Sequence, residues 1–417
     1  MVARADIVVN PENTWRLETP NPGGWEKSVH PGSDNKYYMV SVDTHMSPPP
    51  KLFAERIDAK YRDRLARIEV RDGKKYFVQE GCRPELILEP NMEGEDQTRA
   101  MAGGFHYGDF LEDGESRLKV GSARIVDQDV DGVDAEVIFP NGPALLMWGA
   151  DTDLASAQAR IWNDWAIEAC RPFLDRCNPT AALITADIDG SVAEVQRVAK
   201  LGYRTLVLPC KPIFGAHDVD HINYNLPVFD PLWAAIQDAD LAICYHVATG
   251  RDPRTARGSG GAIINYVVHA MSPTLEPIVS MCASGVFERF PKLRAGTIEA
   301  NAGWVPFMLD SMDEAYKKHH FWTRPKLGDL PSDYFYANCF ASVSEDRSAL
   351  ELAESYRLGG NLMWANDYPH HEGTWPHSAE AIERTFADNL SEESRAKILG
   401  LNAARVFRFD IPEKYRG

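Results

Sequence analysis

AALITADIDGSVAEVQRVAKLGYRTLVLPC, residues 181–210, contains a short apolar run, a helix candidate of mixed polarity and a second apolar run. Strand, helix, strand in that order implies two parallel strands joined by a crossover. The same rhythm extends in both directions. Apolar runs recur as SVDTH (41–45), VDAEVIFP (133–140), LAICYHV (241–247), AGTIEA (295–300), ANCFASV (337–343) and NLMWAND (361–367). Further helix candidates lie between them at 153–170, 230–240 and 348–359, the last closed by Gly359-Gly360. Together with the quoted pair this makes eight strands, and eight βα units in roughly 370 residues predict a (β/α)8 TIM barrel. A doubly wound sheet is the alternative, but no glycine-rich phosphate loop follows the first strand.

The rest of the chain departs from the repeat. Residues 1–40 are rich in Pro, Asn and Gly and read as an N-terminal arm. The barrel spans 41–410, with an insertion at 51–125 after the first strand, and 411–417 form a C-terminal tail. Within the insertion, KLFAERIDAKYRDRLARI (51–68) reads as a helix and RDGKKYFVQE (71–80) as a hairpin around Asp72-Gly73.

The chain of 417 residues is 44% hydrophobic and carries a formal net charge of -17. That acidity argues against nucleic acid and anionic membranes as partners. No apolar stretch approaches the ~20 residues of a membrane span, and MVARADIVVNPENTW is too polar for a signal peptide. The seven cysteines include no CxxC pair. They read as reduced, mostly buried thiols of a cytoplasmic protein.

In a barrel of this type the active site forms at the C-terminal ends of the strands. The first strand ends in Asp43 and His45, the fifth in His246, the sixth in Glu299 and the eighth in Asp367, followed by His370 and His371. Residues i and i+2 of a strand share a face, so Asp43 and His45 converge at the mouth just before Pro48, Pro49 and Pro50 end the segment. Two imidazoles and two carboxylates suit a divalent transition metal of the Zn, Mn or Fe type.

The sequence resembles the amidohydrolase superfamily, in the branch that includes aminocarboxymuconate semialdehyde decarboxylase, resorcylate decarboxylases and metal-dependent C–C or thioester hydrolases. The resemblance rests on SVDTHMSPPP (41–50), DQDVDGVDAEVIFP (127–140), DPLWAAIQDADLAICYHVATG (230–250), SGVFERFPKLRAGTIEANAGWVPFMLDSMD (284–313), YFYANCF (334–340) and LMWANDYPHHEGTWPHS (362–378). It implies that Asp43 and His45 stand for the family's His-x-His pair. It also implies that His246 is the fifth-strand ligand, and that Asp367 both ligates metal and handles a proton. One position departs from the pattern: decarboxylases of this branch carry a histidine after the sixth strand, where this chain has Glu299.

Glu299 therefore turns the expectation toward hydrolysis. The expected reaction is attack of metal-activated water on an ester, thioester, amide or C–C bond of an aromatic or terpenoid acid derivative. Asp367 acts as the base, His246 as a ligand, and Glu299 orients water or binds a second ion. Non-oxidative decarboxylation of an aromatic or muconate-type acid is the alternative, and a non-catalytic barrel scaffold is the third reading. Trp304, His269, His370 and His371 are expected on the substrate side, with Phe105, Trp148, Trp322 and Trp375 available for an apolar wall. His217 and His221 read as loop surface. Lys211 reads as a loop lysine because Pro212 follows it, although binuclear relatives place a carboxylated lysine on that strand. A homodimer is expected, with the arm or the insertion contributing to it.

Overall fold

A computed structural model describes residues 37–49, 51–78, 80, 84–86, 121–141, 147–149, 151–211, 223–249, 256, 258–370 and 373–415. Nearly all of the N-terminal arm, much of the insertion, Cys82, Phe105, His217, His221 and His371 lie outside the described residues.

Eight strands form one parallel sheet: β1 (Val40–Met46), β5 (Ala135–Pro140), β6 (Cys177–Ala182), β7 (Thr205–Leu208), β8 (Ala242–His246), β9 (Arg294–Ile298), β10 (Cys339–Val343) and β11 (Leu362–Trp364). Each pairs with its neighbour in chain order, and a parallel bridge between Thr44 and Tyr368 brings the eighth strand back to the first. Two backbone bonds reinforce this closure, His45 N–H to Tyr368 O at 2.8 Å and Asp367 N–H to Asp43 O at 3.0 Å. The result is the (β/α)8 barrel that the strand rhythm predicts.

The strands are buried on both faces, as parallel strands under helices must be. Val207, Cys244, Ile298, Phe340 and Met363 share one apolar cluster, whereas the alternate residues Leu206, Leu208, Ile243 and Tyr245 pack with Trp233, Ile236 and Phe287 of the outer helices. His246 follows Cys244 by two residues and so emerges on the inner face. Gly296 has no substitute in this packing, since a Cβ there would lie 2.2 Å from the Phe340 ring.

A small antiparallel meander, β2 (Arg67–Arg71), β3 (Lys74–Val78) and β4 (Glu85–Leu86), lies within the insertion. Arg71 pairs with Lys74 across a two-residue loop, and Asp72 (φ 50°) and Gly73 (φ 73°) both take the left-handed conformation that such a tight hairpin requires.

Three sequence expectations need correction. Residues 51–68 do not form one helix. They divide into a helix Leu52–Arg56, a 3-10 turn Ala59–Arg64 and strand β2, because Ile57 and Leu65 adopt extended backbone. The third barrel strand occupies Cys177–Ala182 and ends before Leu183, so it starts and stops earlier than the apolar run 181–186. The helix expected over 348–359 ends at Leu352; Arg357 turns left-handed (φ 55°) so that Leu358 is fully buried. In the C-terminal tail the Tyr415 ring lies 5.6 Å from that of Tyr38. Among the described residues no helix is long and apolar enough to cross a membrane.

Candidate metal centre

Asp43 and His45 project from β1 and His246 from the end of β8, while Glu299 lies one residue beyond β9 and Asp367 three beyond β11. Glu299 (φ 58°) and Asp367 (φ 53°) both hold left-handed backbone, a strained state for side chains of this size. Asp43, His45, His246 and Asp367 are buried, and Glu299 is half-buried.

The donor atoms converge. His246 Nε2 lies 3.2 Å from Asp43 Oδ1 and 3.4 Å from Glu299 Oε2. His45 Nε2 lies 3.5 Å from Asp43 Oδ1 and 3.3 Å from Asp367 Oδ1. Donors bound at about 2.0–2.2 Å to a single ion sit roughly 3–3.5 Å from one another. One ligand atom from each of Asp43, His45, His246 and Glu299 fits within 4.8 Å of the others, and a second group of the same kind joins His45, Asp367 and His370.

The tautomers also suit a metal. His45 Nδ1 faces Pro140 O at 3.3 Å, and His246 Nδ1 faces Val247 O at 2.8 Å. A carbonyl only accepts, so each Nδ1 carries a proton and each Nε2 faces the centre; that of His246 is hydrogen-bonded to Asp43 Oδ1 at 3.2 Å and would turn a lone pair inward once an ion displaces its proton. His45 Nε2 is buried and, although it faces Asp367 Oδ1 across 3.3 Å, makes no hydrogen bond. Buried polar atoms in such positions are costly unless a cation meets them.

Electrostatics point the same way. Burial and the neighbouring His370 pull the His45 imidazole down to about 4, against the smaller opposing pull of Asp367 and Asp43. Burial would also lower His246, but Asp43 and Glu299 outweigh it and raise this ring to about 9. Burial would raise Asp367, yet His370 and His45 hold its carboxyl well below the usual range. Three carboxylates thus surround two imidazoles in a dry cavity, an arrangement that a divalent cation neutralises. The donor set fits such an ion.

His370 stacks on His45, with ring centroids 4.1 Å apart, and its Nδ1 lies 2.9 Å from Asp367 Oδ1. The Trp304 indole N–H donates to the carbonyls of Asn301 (2.8 Å) and Ala300 (3.2 Å), which fixes the ring on its own loop. His269 sits in a π-helical segment, Asn265–Met271, and belongs to neither donor group. Trp148 is core, its indole bonded to Leu183 O at 2.8 Å, and Trp375 is buried. Lys211 lines a separate groove.

Sequence reasoning missed the frame behind the ligands. Arg124, on the helix Ser122–Asp131, is fully buried against Glu136 of β5, with Nη2 3.0 Å from Oε2. Its Nη1 donates to the carbonyl of His45 at 2.7 Å, and its guanidinium lies 4.9 Å from the Tyr368 ring centroid. Ser41 Oγ donates to Asn366 Oδ1 (2.7 Å), Asn366 Nδ2 donates to Asp131 (3.0 Å), and Tyr368 OH donates to Asp127 (2.7 Å). One helix therefore braces both the β1 and the β11 ligands. Asp127, Asp131 and Glu136 all lie in the quoted motif 127–140, but nothing in that motif indicates their partners.

With this geometry in view, comparison with known proteins is informative. The amidohydrolase family model matches residues 120–409. The chain belongs to the amidohydrolase family. This amidohydrolase is 26% identical over 333 residues to gamma-resorcylate decarboxylase of Rhodococcus jostii (strain RHA1), a match covering 75% of this chain and 95% of that protein. Its fold is that of 5-carboxyvanillate decarboxylase from Sphingomonas paucimobilis (TM-score 0.61, 23% identity, 90% of this chain and 100% of that one). It is also that of dihydroxybenzoic acid decarboxylase from Polaromonas sp. JS666, solved with bound manganese and the inhibitor 2-nitroresorcinol (TM-score 0.60, 18% identity, 90% and 98%).

Proposed function

We propose that this amidohydrolase is a metal-dependent, non-oxidative decarboxylase of a phenolic carboxylic acid, and that manganese or a similar divalent ion sits among Asp43, His45, His246 and Asp367. The observation that carries this reading is the contact between Asp367 and His370 at the mouth, because it couples a carboxyl beside the donor set to a second proton carrier. The similarity to a resorcylate decarboxylase over most of both chains supports it. It reverses the preference for hydrolysis drawn from Glu299 alone. The scaffold reading has no support, since the ends of the first, fifth, sixth and eighth barrel strands all carry side chains able to ligate.

The bound ion supplies Lewis-acid contact to substrate oxygens and offsets the carboxylates. The chain does the rest. His45 and His246 keep their Nε2 lone pairs inward through their Nδ1 bonds. Asp367, held ionised, takes a proton from His370 Nδ1 and passes it to the ring carbon that bears the carboxylate. The ring–carboxylate bond then breaks, its electron pair returns to the ring, and carbon dioxide leaves. The test is release of labelled carbon dioxide from carboxyl-labelled 2,6-dihydroxybenzoate and 5-carboxyvanillate by manganese-loaded protein. Uptake of water by esters or thioesters, with no carbon dioxide from any phenolic acid, would contradict it.

Glu299 sustains hydrolysis as the second reading. A third carboxylate 3.4 Å from His246 Nε2 adds negative charge where a decarboxylase substrate must bring its own. A neutral carbonyl substrate would not meet that repulsion, and Glu299 could orient its water. A cytoplasmic site of action suits the six described cysteines, all buried and unbridged.

A further inference from the structure

At the foot of the barrel, opposite the metal centre, positive charge gathers in a chain whose net charge is -17. Arg294 opens β9, Cys339 opens β10, and Arg405 comes from the helix Asn402–Phe407. Both arginines line a cavity of about 20 Å³, walled also by Asn338, Cys339, Phe340 and Asn361. A cavity needs roughly 10–15 Å³ to hold one water-sized occupant, so this one admits a single small particle and excludes an organic ligand.

The donors around it are incompletely used. Arg294 Nη2 is committed to Asp240 Oδ1 at 2.5 Å, but its Nε is buried and makes no hydrogen bond among the described residues. Arg405 Nη2 donates to the carbonyl of Gly360 at 3.1 Å, and this guanidinium pairs with no carboxylate among the described residues. Asp240 is itself shared, since its Oδ2 meets Arg408 Nη1 at 3.2 Å. Three guanidiniums thus stand around one carboxylate. The lining amides are spent on backbone: Asn338 Nδ2 donates to Leu293 O and Asn361 Nδ2 to Cys339 O, each at 2.8 Å. The excess charge is felt locally, because partial burial and the charge on Arg294 both hold Arg405 below the usual guanidinium range.

We infer that this cavity is a binding site for a monatomic anion of the halide class, held between Arg294 Nε and the Arg405 guanidinium. Water fits the same volume and would satisfy the Arg294 N–H, but it leaves two like charges unopposed, whereas an anion neutralises them. The bound anion would tie the C-terminal helix to the first residues of β9 and β10 and stabilise the folded state by mass action. Glu299 lies just past the far end of β9, so the effect falls on stability and leaves the metal centre alone. The inference does not rest on the reaction proposed above.

The test is urea unfolding of the manganese-loaded full chain, dialysed free of halide, as sodium chloride or sodium bromide replaces sodium gluconate at constant ionic strength. Gluconate is too bulky for the cavity. The unfolding midpoint is expected to rise along a saturating curve with either halide. In Arg405→Gln, at a surface side chain, the half-saturating halide concentration is expected to increase at least about tenfold. A midpoint that does not move, or that moves without saturating, would overturn the proposal, and so would an unchanged halide response in the folded variant. Should Arg405→Gln misfold, bromide-soaked crystals of the wild type take its place. An anomalous-scattering peak between Arg294 and Arg405 is the expected result, and a water there with no anomalous signal would overturn the site.

Discussion

On the β1–β11 side of the centre, Asp43, His45 and Asp367 sit in a frame of buried charge, whereas on the β8–β9 side His246 and Glu299 are held by neutral local bonds. The first frame consists of Arg124, Glu136 and Asp131, all buried, with Ser41 and Asn366 between them. On the second side the Thr249 hydroxyl donates to His246 O at 2.6 Å, and Ser342 Oγ accepts the Glu299 N–H at 2.9 Å. The difference teaches where change is tolerated. Removing one partner of a buried ion pair strands the other charge, while a lost neutral bond costs about 1 kcal/mol. The Glu299 side can therefore be altered with much less damage to the fold, and with it the charge that the substrate meets.

The largest expected effect is that of Arg124→Met. It strands Glu136 and removes the donor to His45 O, so equilibrium urea unfolding should show a loss of about 3–5 kcal/mol. Ser342→Ala should lose about 1 kcal/mol in the same assay. Equal losses at the two positions would erase the contrast between the two sides. Replacing Arg124 and Glu136 together by Met should recover part of the loss, because no buried charge is then left alone.

Next comes Glu299→Gln, which should leave the protein folded. If the reaction is decarboxylation, removing a negative charge should lower KM for a phenolic carboxylate by up to about tenfold, or 1.4 kcal/mol, with kcat little changed. If Glu299 is the base of a hydrolysis, activity should instead fall about 100-fold or more. Steady-state kinetics on both substrate classes separates the two readings.

A further test is a pH dependence. Burial pushes Asp131 up to about 7, against the opposing bonds from Ser378 and Asn366. The folded state therefore holds this proton more tightly than the unfolded state, whose carboxyl titrates near the ordinary 3.8. Across that window the Asp131 contribution to stability falls as pH rises from about 4 to about 7. In Asp131→Asn that component should vanish, and unfolding free energies of variant and wild type, compared at pH 5 and pH 7.5, should differ in slope accordingly. Parallel curves would show that Asp131 is ionised throughout.

The barrel and the ligand positions were legible because each is a local signal. An apolar run predicts a strand, and the residue that ends it must face the mouth. The hairpin at Asp72-Gly73 is equally local. The brace was not legible, since Arg124 reads as one more helix arginine and its worth depends on Glu136 and on the carbonyl of His45, 79 residues away in sequence. Residues 348–359 were misread for a related reason. Their pattern suits a helix, but burial of Leu358 turns the chain at Arg357. The bond from the Trp304 indole N–H to the Asn301 carbonyl was not legible either, since an aromatic residue near a strand end gives no sign of where its N–H goes.

The central claim is that Asp43, His45, His246 and Asp367, with Glu299 beside them, form a centre for a divalent ion. The most direct measurement is metal content per chain after loading with manganese and gel filtration, for the wild type and for His246→Ala, with circular dichroism on both. The account predicts one tightly held ion per wild-type chain and near-zero occupancy in a folded variant. Full occupancy in His246→Ala, or a wild type that retains no ion, would contradict it.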